Sequence, residues 1–308
     1  MGKIMKNGKI VILGAGHVGS HIAYALSAGK VAKDIVLVDI VKGKALSQAL
    51  DIMDSVGFYS DNVRVRAGDY CECADADIIF VAIGCPRLPG QTRLDVLDSS
   101  AEMLKNAAEQ LLSVKPKGII VSITNPADVI GYMLREMLSY DRFRCFSSGT
   151  ALDSARMKRI AADMAGVAYS KIDGYVMGEH GDSSFVAASN LMVDGKLAEE
   201  VLSVDELNTL TRKRGMDIIE GKGSTEFGIG SVCAHIADVI LCGRQEIMPL
   251  SVTLCGEYGV SGAAAGVPCV LSENGIKQIV ELELSASEKA AFSKSVAVIK
   301  DYINRAGF

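Results

Sequence analysis

Two kinds of apolar pattern alternate over the first half of the chain. Short runs of consecutive β-rich residues occur at Lys9–Leu13, Asp34–Val38, Val63–Arg66, Asp77–Ile83, Gly118–Ile123 and Arg142–Phe146. Between most of them lie amphipathic stretches such as Gly19–Lys30, Lys42–Val56 and Leu94–Val114, with apolar residues at helical spacing. Strands that are apolar throughout, rather than at every second position, are buried on both faces. The pattern therefore predicts a doubly wound parallel sheet of the α/β class. After Thr150 the rhythm changes. A helix at Leu152–Ala165 precedes shorter strands around Tyr175–Met177 and Ser184–Val193. Helices at Val204–Gly221 and Thr225–Cys242 come next, then strands near Ile247–Gly256 and Val267–Ser272, and a last helix at Ala286–Arg305. This second part reads as α+β. The expected division is residues 1–147 and 148–308. With no repeat, low-complexity segment or Pro/Ser-rich linker between them, the two parts are expected to pack closely around one cleft.

Composition narrows the picture. The 308 residues are 49% hydrophobic, ample for a sizeable core, and the net charge is −5. Such a balance disfavours a sequence-independent grip on nucleic acid, which needs a basic surface. The longest aliphatic runs, such as Ile119–Ile123, are far too short to span a bilayer. The N-terminal lysines precede only the four residues "IVIL", too few for a signal segment, and Lys6 stands where myristoylation wants Ser or Thr. Eight scattered cysteines form no CxxC pair and no disulfide framework, so they read as reduced thiols of a cytoplasmic protein. Cys71 and Cys73 lack partners for a metal site.

The segment "KIVILGAGHVGSHIAYAL" carries Gly14-x-Gly16-x-x-Gly19 directly after a strand and at a helix start. The first glycine permits a tight turn, the second admits a pyrophosphate to the backbone, and the third lets helix and strand pack closely. The helix N-terminus then offers free N–H groups to the phosphates. "DIVLVD" ends in Asp39, twenty residues beyond Gly19. A carboxylate there binds both ribose hydroxyls and repels a 2′-phosphate. The first part is therefore expected to be a Rossmann-type domain binding NAD rather than NADP. His17 and His21 have the spacing of a zinc helix, yet there is no HExxH, and loop and helix-surface roles are expected instead.

Three further segments stand out. In "SITNPAD", Asn125-Pro126 closes a predicted parallel strand at the end where such sheets bind ligands. The asparagine either binds a carbonyl or starts a turn. In "GTALDSARMKRI", Asp153 and Arg156 share one helix face, as an intrahelical ion pair would. In "VMGEHGDSS", His180 lies between glycines, where a lone histidine reads first as a structural residue.

Taken in order, "GAGHVGS", "LVD", "PRLPGQTRLD", "TNPAD", "LDSAR", "GEHGD" and "KGST" resemble the lactate/malate dehydrogenase family over essentially the whole chain. The resemblance implies an NAD-dependent L-2-hydroxy acid dehydrogenase with no metal, no nucleic-acid or membrane partner, and a homodimeric or homotetrameric assembly. It implies that His180 exchanges the proton of the carbonyl/alcohol oxygen while Asp153 holds its imidazole. Arg156 would grip the substrate carboxylate in two-pronged fashion. Arg93 would polarise the carbonyl as negative charge develops. Asn125 would fix substrate and nicotinamide, Gly84 would lie along the cofactor, and Val18 would sit in the diphosphate turn with Gly14, Gly16 and Gly19. Thr225 would line the side-chain pocket.

Within that family, "PRLPGQTRLD" matches a loop that closes over the substrate, and Arg87 falls at its specificity position. Lactate dehydrogenases usually carry glutamine there and malate dehydrogenases arginine. A second carboxylate, as in oxaloacetate, would be costly to enclose unpaired, so oxaloacetate/malate is the favoured pair. Thr225, "GQTRLDVL" and "GTALDSARM" pull towards pyruvate/lactate or a broader range of 2-oxo acids. Some bacterial members bind an activating sugar bisphosphate through a basic residue and a histidine. The matching Lys158 and Asp173 place an acid where phosphate would sit, so no such activation is expected. Two rival classes share the cofactor motif. An NAD-dependent, metal-assisted glycosidase would need a Cys/His metal site, and no cysteine lies near His180 in sequence. A non-catalytic NAD-binding protein would not need His180, Asp153 and three arginines together.

Overall fold

The computed structural model describes residues 6–84 and 93–308; the side chains at positions 6, 7, 93–96 and 98 lie outside that description. The first part runs β1 (Lys6–Leu13), α1 (His17–Ala28), β2 (Ala32–Val38), α2 (Lys42–Val56), β3 (Arg64–Ala67), β4 (Ile78–Val81), α3 (Arg93–Val114), β5 (Ile119–Ser122), α4 (Ala127–Leu138) and β6 (Cys145–Ser147). These six strands are all parallel and lie in the order β3-β2-β1-β4-β5-β6. That order places a switch point between β1 and β4, where the chain reverses its direction of travel across the sheet and leaves a crevice at the carboxyl edge. Every residue of β4 and β5 is buried, as strands covered by helices on both faces require. Phe80 and Phe146 are among the largest fully buried side chains, each contributing about 1.5–3 kcal/mol by leaving water.

The second part continues α5 (Ala151–Ala165), β7 (Ile172–Asp173), β8 (Val176–Met177), β9 (Phe185–Val186), β10 (Met192–Val193), β11 (Lys196–Leu197), α6 (Val204–Lys222), α7 (Phe227–Cys242), β12 (Glu246–Cys255), β13 (Ser261–Ser272), β14 (Gly275–Ile279) and α8 (Ala286–Arg305). Strands β12, β13 and β14 join the same sheet: β12 pairs antiparallel with β6, Ser251 opposite Ser147, so nine strands form one continuous surface. A second, smaller core centred on Met157, Ile160, Val176, Leu191 and Leu207 holds α5 and α6 to the short strands. Gly230 brings α7 close against α1; a side chain there would begin 3.0 Å from the carbonyl oxygen of His21.

Several expected elements differ in extent. The strand expected over Ser184–Val193 is broken into β9, a 3-10 turn at Ala188–Asn190 and β10. The break is held by Glu288, which accepts the Ser189 backbone N–H at 2.9 Å. Strand β13 begins six residues earlier than the sequence suggests, through "SGAAAG", because pairing with β12 overrides the weak strand preference of Gly and Ala. The sequence pattern predicts no strand at β14, where only two of five residues, "GIKQI", are strongly apolar. Helix α1 starts at His17, because Gly16 is its N-cap.

The segment leading to His180 is tied down on several sides. Gly178 exchanges two backbone hydrogen bonds with Gly266 of β13, at 2.9 and 2.8 Å. The Glu179 backbone N–H donates to Ser295 Oγ of α8 at 2.6 Å, and Ser295 is fully buried. Replacing Ser295 with alanine would leave a buried N–H without its acceptor, so urea unfolding of Ser295→Ala should show a loss of about 1–3 kcal/mol. An unchanged midpoint would show that α8 does not anchor this segment.

Candidate active site

Parallel strands end where their following turns meet, and the sequence places its cofactor motifs at those ends. Gly14 follows β1 with φ +100°, and a Cβ there would stand 2.4 Å from the Ala82 carbonyl oxygen after β4. Only glycine fits. A Cβ on Gly19 would fall 1.8 Å from the Gly14 carbonyl oxygen, so α1 lies directly on the turn. Gly16 is different. Among the described residues its open side meets nothing nearer than Lys44 Nζ at 3.8 Å, and as N-cap of α1 it supplies no side-chain cap. Among the described residues no side chain caps the first N–H groups of α1, and half-buried Val18 lies in the first turn. Asp39, after β2, accepts the Ala15 N–H at 2.8 Å on one oxygen and the Val41 N–H at 2.9 Å on the other. Each oxygen keeps a lone pair for a ribose hydroxyl. Gly84 follows β4 with φ +149°, beside Thr124 and Ser100. A glycine turn without bulk, uncapped amides and an anchored carboxylate fit a dinucleotide with an unphosphorylated ribose.

The chemical residues converge beside this edge. Helix α5 is set against β8 by two side chains that flank Asp153: Thr150 Oγ1 donates to the Val176 carbonyl at 2.6 Å, and Ser154 Oγ accepts the Val176 N–H at 2.8 Å. Asp153, in the first turn of α5 and 9% exposed, thereby faces the chain leaving β8. His180 Nδ1 stands 2.6 Å from Asp153 Oδ2. The other oxygen, Oδ1, accepts Arg156 Nη1 at 3.3 Å. Arg156 is largely buried, and Gly215 of α6 leaves room for its guanidinium: a Cβ there would lie 3.3 Å from Nη1. Arg156 and Thr225 share a cavity of about 260 Å³ lined also by Leu152, Arg214, Ile218 and Phe227. The Thr225 turn is held by Glu226, which accepts Ser224 Oγ at 2.7 Å and pairs with Lys222. Asn125 stands exposed after β5, before a cis bond to Pro126.

The electrostatics follow from this packing. Burial alone would raise the Asp153 carboxyl; the charge and hydrogen bond of His180, with Arg156 behind them, outweigh it and hold Asp153 below the usual carboxylate value. The Asp153 charge in turn raises His180 above the ordinary imidazole value, against burial and the repulsion of Arg156. With Nδ1–H donated to Asp153, Nε2 is the nitrogen left to face a ligand.

Arg93 opens α3, with its side chain outside the described residues, and Arg87 lies outside them altogether. Lys158 and Asp173 lie 3.9 Å apart as an ion pair. His21 Nδ1 contacts the His17 carbonyl oxygen at 2.6 Å, a local helix bond. Among the described residues no group of three or more His, Cys, Asp or Glu is placed to hold a metal, and no helix is long and apolar enough to cross a membrane. Sequence reasoning missed Thr150, Ser154 and Asp128, all within the quoted motifs, because their work depends on partners distant along the chain.

Two family models match successive parts of the chain. Residues 8–147 match the model of the lactate/malate dehydrogenase NAD binding domain, and residues 150–307 that of the family's alpha/beta C-terminal domain. The chain belongs to the lactate/malate dehydrogenase family. It is an NAD-dependent oxidoreductase acting on CH–OH groups. An L-lactate dehydrogenase 2 of Lactococcus lactis subsp. lactis is 36% identical over 304 residues, covering 96% of this chain and 97% of the relative. A lactate dehydrogenase from a Medee basin deep-sea metagenome library superposes with a TM-score of 0.94 at 30% identity, over 99% of this chain and 100% of that one. The malate dehydrogenase of Archaeoglobus fulgidus in complex with NADH superposes at 0.90, also at 30% identity, over 97% and 100%. Both activities thus occur among close structural relatives.

Two outcomes follow from the site. Asp39→Ser removes the carboxylate, so the ratio of NADH to NADPH affinity should fall by about tenfold or more; an unaltered ratio in cofactor titrations would remove Asp39 from that discrimination. Asp153→Asn removes the charge that favours the imidazolium, so an NMR titration should move the His180 midpoint down by about one unit or more. A midpoint that stays in place would show that another group sets it.

Proposed function

We propose that the enzyme interconverts a small 2-oxo acid and its L-2-hydroxy acid, with residues 1–147 holding NAD and residues 148–308 presenting the substrate site. The observation that carries this reading is the 2.6 Å pair of His180 and Asp153, with Arg156 on the other carboxylate oxygen. NAD bound at the carboxyl edge supplies the hydride acceptor or donor. Arg156 binds the substrate carboxylate through the guanidinium edges that Asp153 leaves free. His180 gives its Nε2 proton to the keto oxygen as that oxygen becomes an alcohol, and takes it back in the other direction. Asp153 keeps the Nδ1 proton in place and stabilises the charged imidazole. Arg93 supplies positive charge to the oxygen in the transition state. Asn125 and Gly84 bound the nicotinamide side, and Thr225 limits the substrate side chain. Reduction uses protonated His180 and oxidation the neutral ring. Because Asp153 raises His180, reduction persists above the ordinary imidazole range and falls as pH rises through the shifted value.

Oxaloacetate/malate is the preferred pair in this proposal. Arg87 offers a permanent charge for a second carboxylate, which pyruvate would leave unpaired. A second reading, pyruvate/lactate, is favoured by Thr225 and by the names of the curated relatives, which are L-lactate dehydrogenases. NADH oxidation measured side by side with oxaloacetate, pyruvate and 2-oxoisocaproate separates these. Oxaloacetate should give the highest kcat/KM, and a higher value for pyruvate would establish the second reading. Arg87→Gln should move the ratio towards pyruvate by one to two decades, as a charge-assisted bond of about 1.5–3 kcal/mol allows. Equal efficiencies before and after would mean that Arg87 does not read the substrate. His180→Asn should lower turnover by about three orders of magnitude with NADH affinity retained; normal turnover would reject the proton-transfer role.

A further inference from the structure

Asn125 and His180 arrive at the site from different parts of the chain, and one side chain joins them. Asp128 stands three residues beyond Asn125, in the first turn of α4, and is 2% exposed. Its Oδ2 accepts the backbone N–H of His180 at 2.7 Å. Its Oδ1 is buried with no hydrogen-bond partner among the described residues. Ser251, on β12, is 1% exposed; its hydroxyl lies near enough to favour the ionised carboxyl but closes no bond of ordinary geometry. A fold that needed only to fill this space would place an apolar or amide side chain there, since an incompletely bonded buried carboxyl is costly.

We infer that Asp128 is a positioning residue for His180: it clamps the imidazole-bearing segment to the Asn125 turn and places a second carboxylate beside that segment besides Asp153. The inference rests on the acid–base reading of His180 above.

The surroundings are consistent with both functions. Asp128 and Asp153 both favour the charged ring of His180, and Arg156 opposes it. Around Asp128, burial pushes its carboxyl up to about 6, with Glu179 adding to the rise and the His180 N–H opposing it. These are the charged groups that face the pair from α4, α5 and the His180 segment. Above about pH 6 the carboxylate is ionised, so the His180 segment carries a second negative charge close by. Below it that charge is lost. The Asp128 side chain bonds the His180 backbone rather than its ring, so it acts through the placement of that segment and through charge.

Two variants of the intact enzyme separate position from charge. Asp128→Ala removes both the acceptor and the charge. Asp128→Asn is isosteric, keeps an oxygen for the His180 N–H, and removes only the charge. In 2-oxo acid reduction, Asp128→Ala should lower kcat by about tenfold or more, with NADH affinity, read from cofactor fluorescence, unchanged within about twofold. Asp128→Asn should recover most of that kcat near pH 6, while the alkaline fall of its kcat profile moves to lower pH. The inference is overturned if Asp128→Asn keeps both the wild-type rate and the wild-type pH profile, or if it loses kcat and NADH affinity together, as a merely structural residue would. An Asp128→Ala chain that does not fold leaves the decision to Asp128→Asn, whose profile suffices. Failure of the parent reading looks different: His180→Asn would then turn over normally, whatever the Asp128 variants do.

Discussion

A single buried carboxylate has to serve two cationic groups at once. Asp153 gives one oxygen to the imidazole of His180 and the other to the guanidinium of Arg156. Isolated in this position, the carboxylate would be expensive to ionise, and either cation would be costly without it. Together they form a set in which the proposed proton transfer and carboxylate recognition would be fixed relative to each other. The 2.6 Å contact chooses the tautomer of His180, and the 3.3 Å contact ties one end of the Arg156 guanidinium to the same carboxylate. Removing the shared charge would loosen both proposed functions, although only one of them involves a proton.

The rest of the fold can be understood as support for that arrangement. The switch point between β1 and β4 opens the carboxyl edge where Gly14, Gly16, Asp39 and Gly84 gather. The antiparallel join between β6 and β12 carries the same sheet into the second part, so cofactor turns and chemical residues stand on one continuous framework rather than on two bodies joined by a linker. Thr150, Ser154, Ser295 and Asp128 then secure α5 and the His180 segment to it through four separate hydrogen bonds. Precise placement of reacting groups needs such rigid backing, because small displacements erode rate steeply.

Much of this was legible in the sequence, for identifiable reasons. Runs of four to seven β-rich residues announced the parallel strands, and α2 and α8 were located to the residue because their amphipathic periods have clear ends. Glycines with fixed spacing and Asp39 announced the cofactor edge, since only a narrow set of residues tolerates that turn. The ordered motifs named His180, Asp153 and Arg156, but spacing alone left each with an ordinary structural alternative. The missing information was long-range. "SGAAAG" becomes strand only because β12 lies beside it, and Ser184–Val193 breaks because Glu288 reaches across from α8. Asp128 was in view within "TNPAD", yet its partner is 52 residues away, and no local pattern specifies that contact.

The most direct measurement is a crystal structure of the enzyme with NADH and oxamate, an unreactive 2-oxo acid mimic. The shared-carboxylate arrangement predicts the oxamate carboxylate on Arg156, its carbonyl oxygen within hydrogen-bond distance of His180 Nε2, and Asp153 still bridging the two cations. Oxamate seated away from Arg156, or Asp153 detached from His180 in the ternary complex, would contradict it.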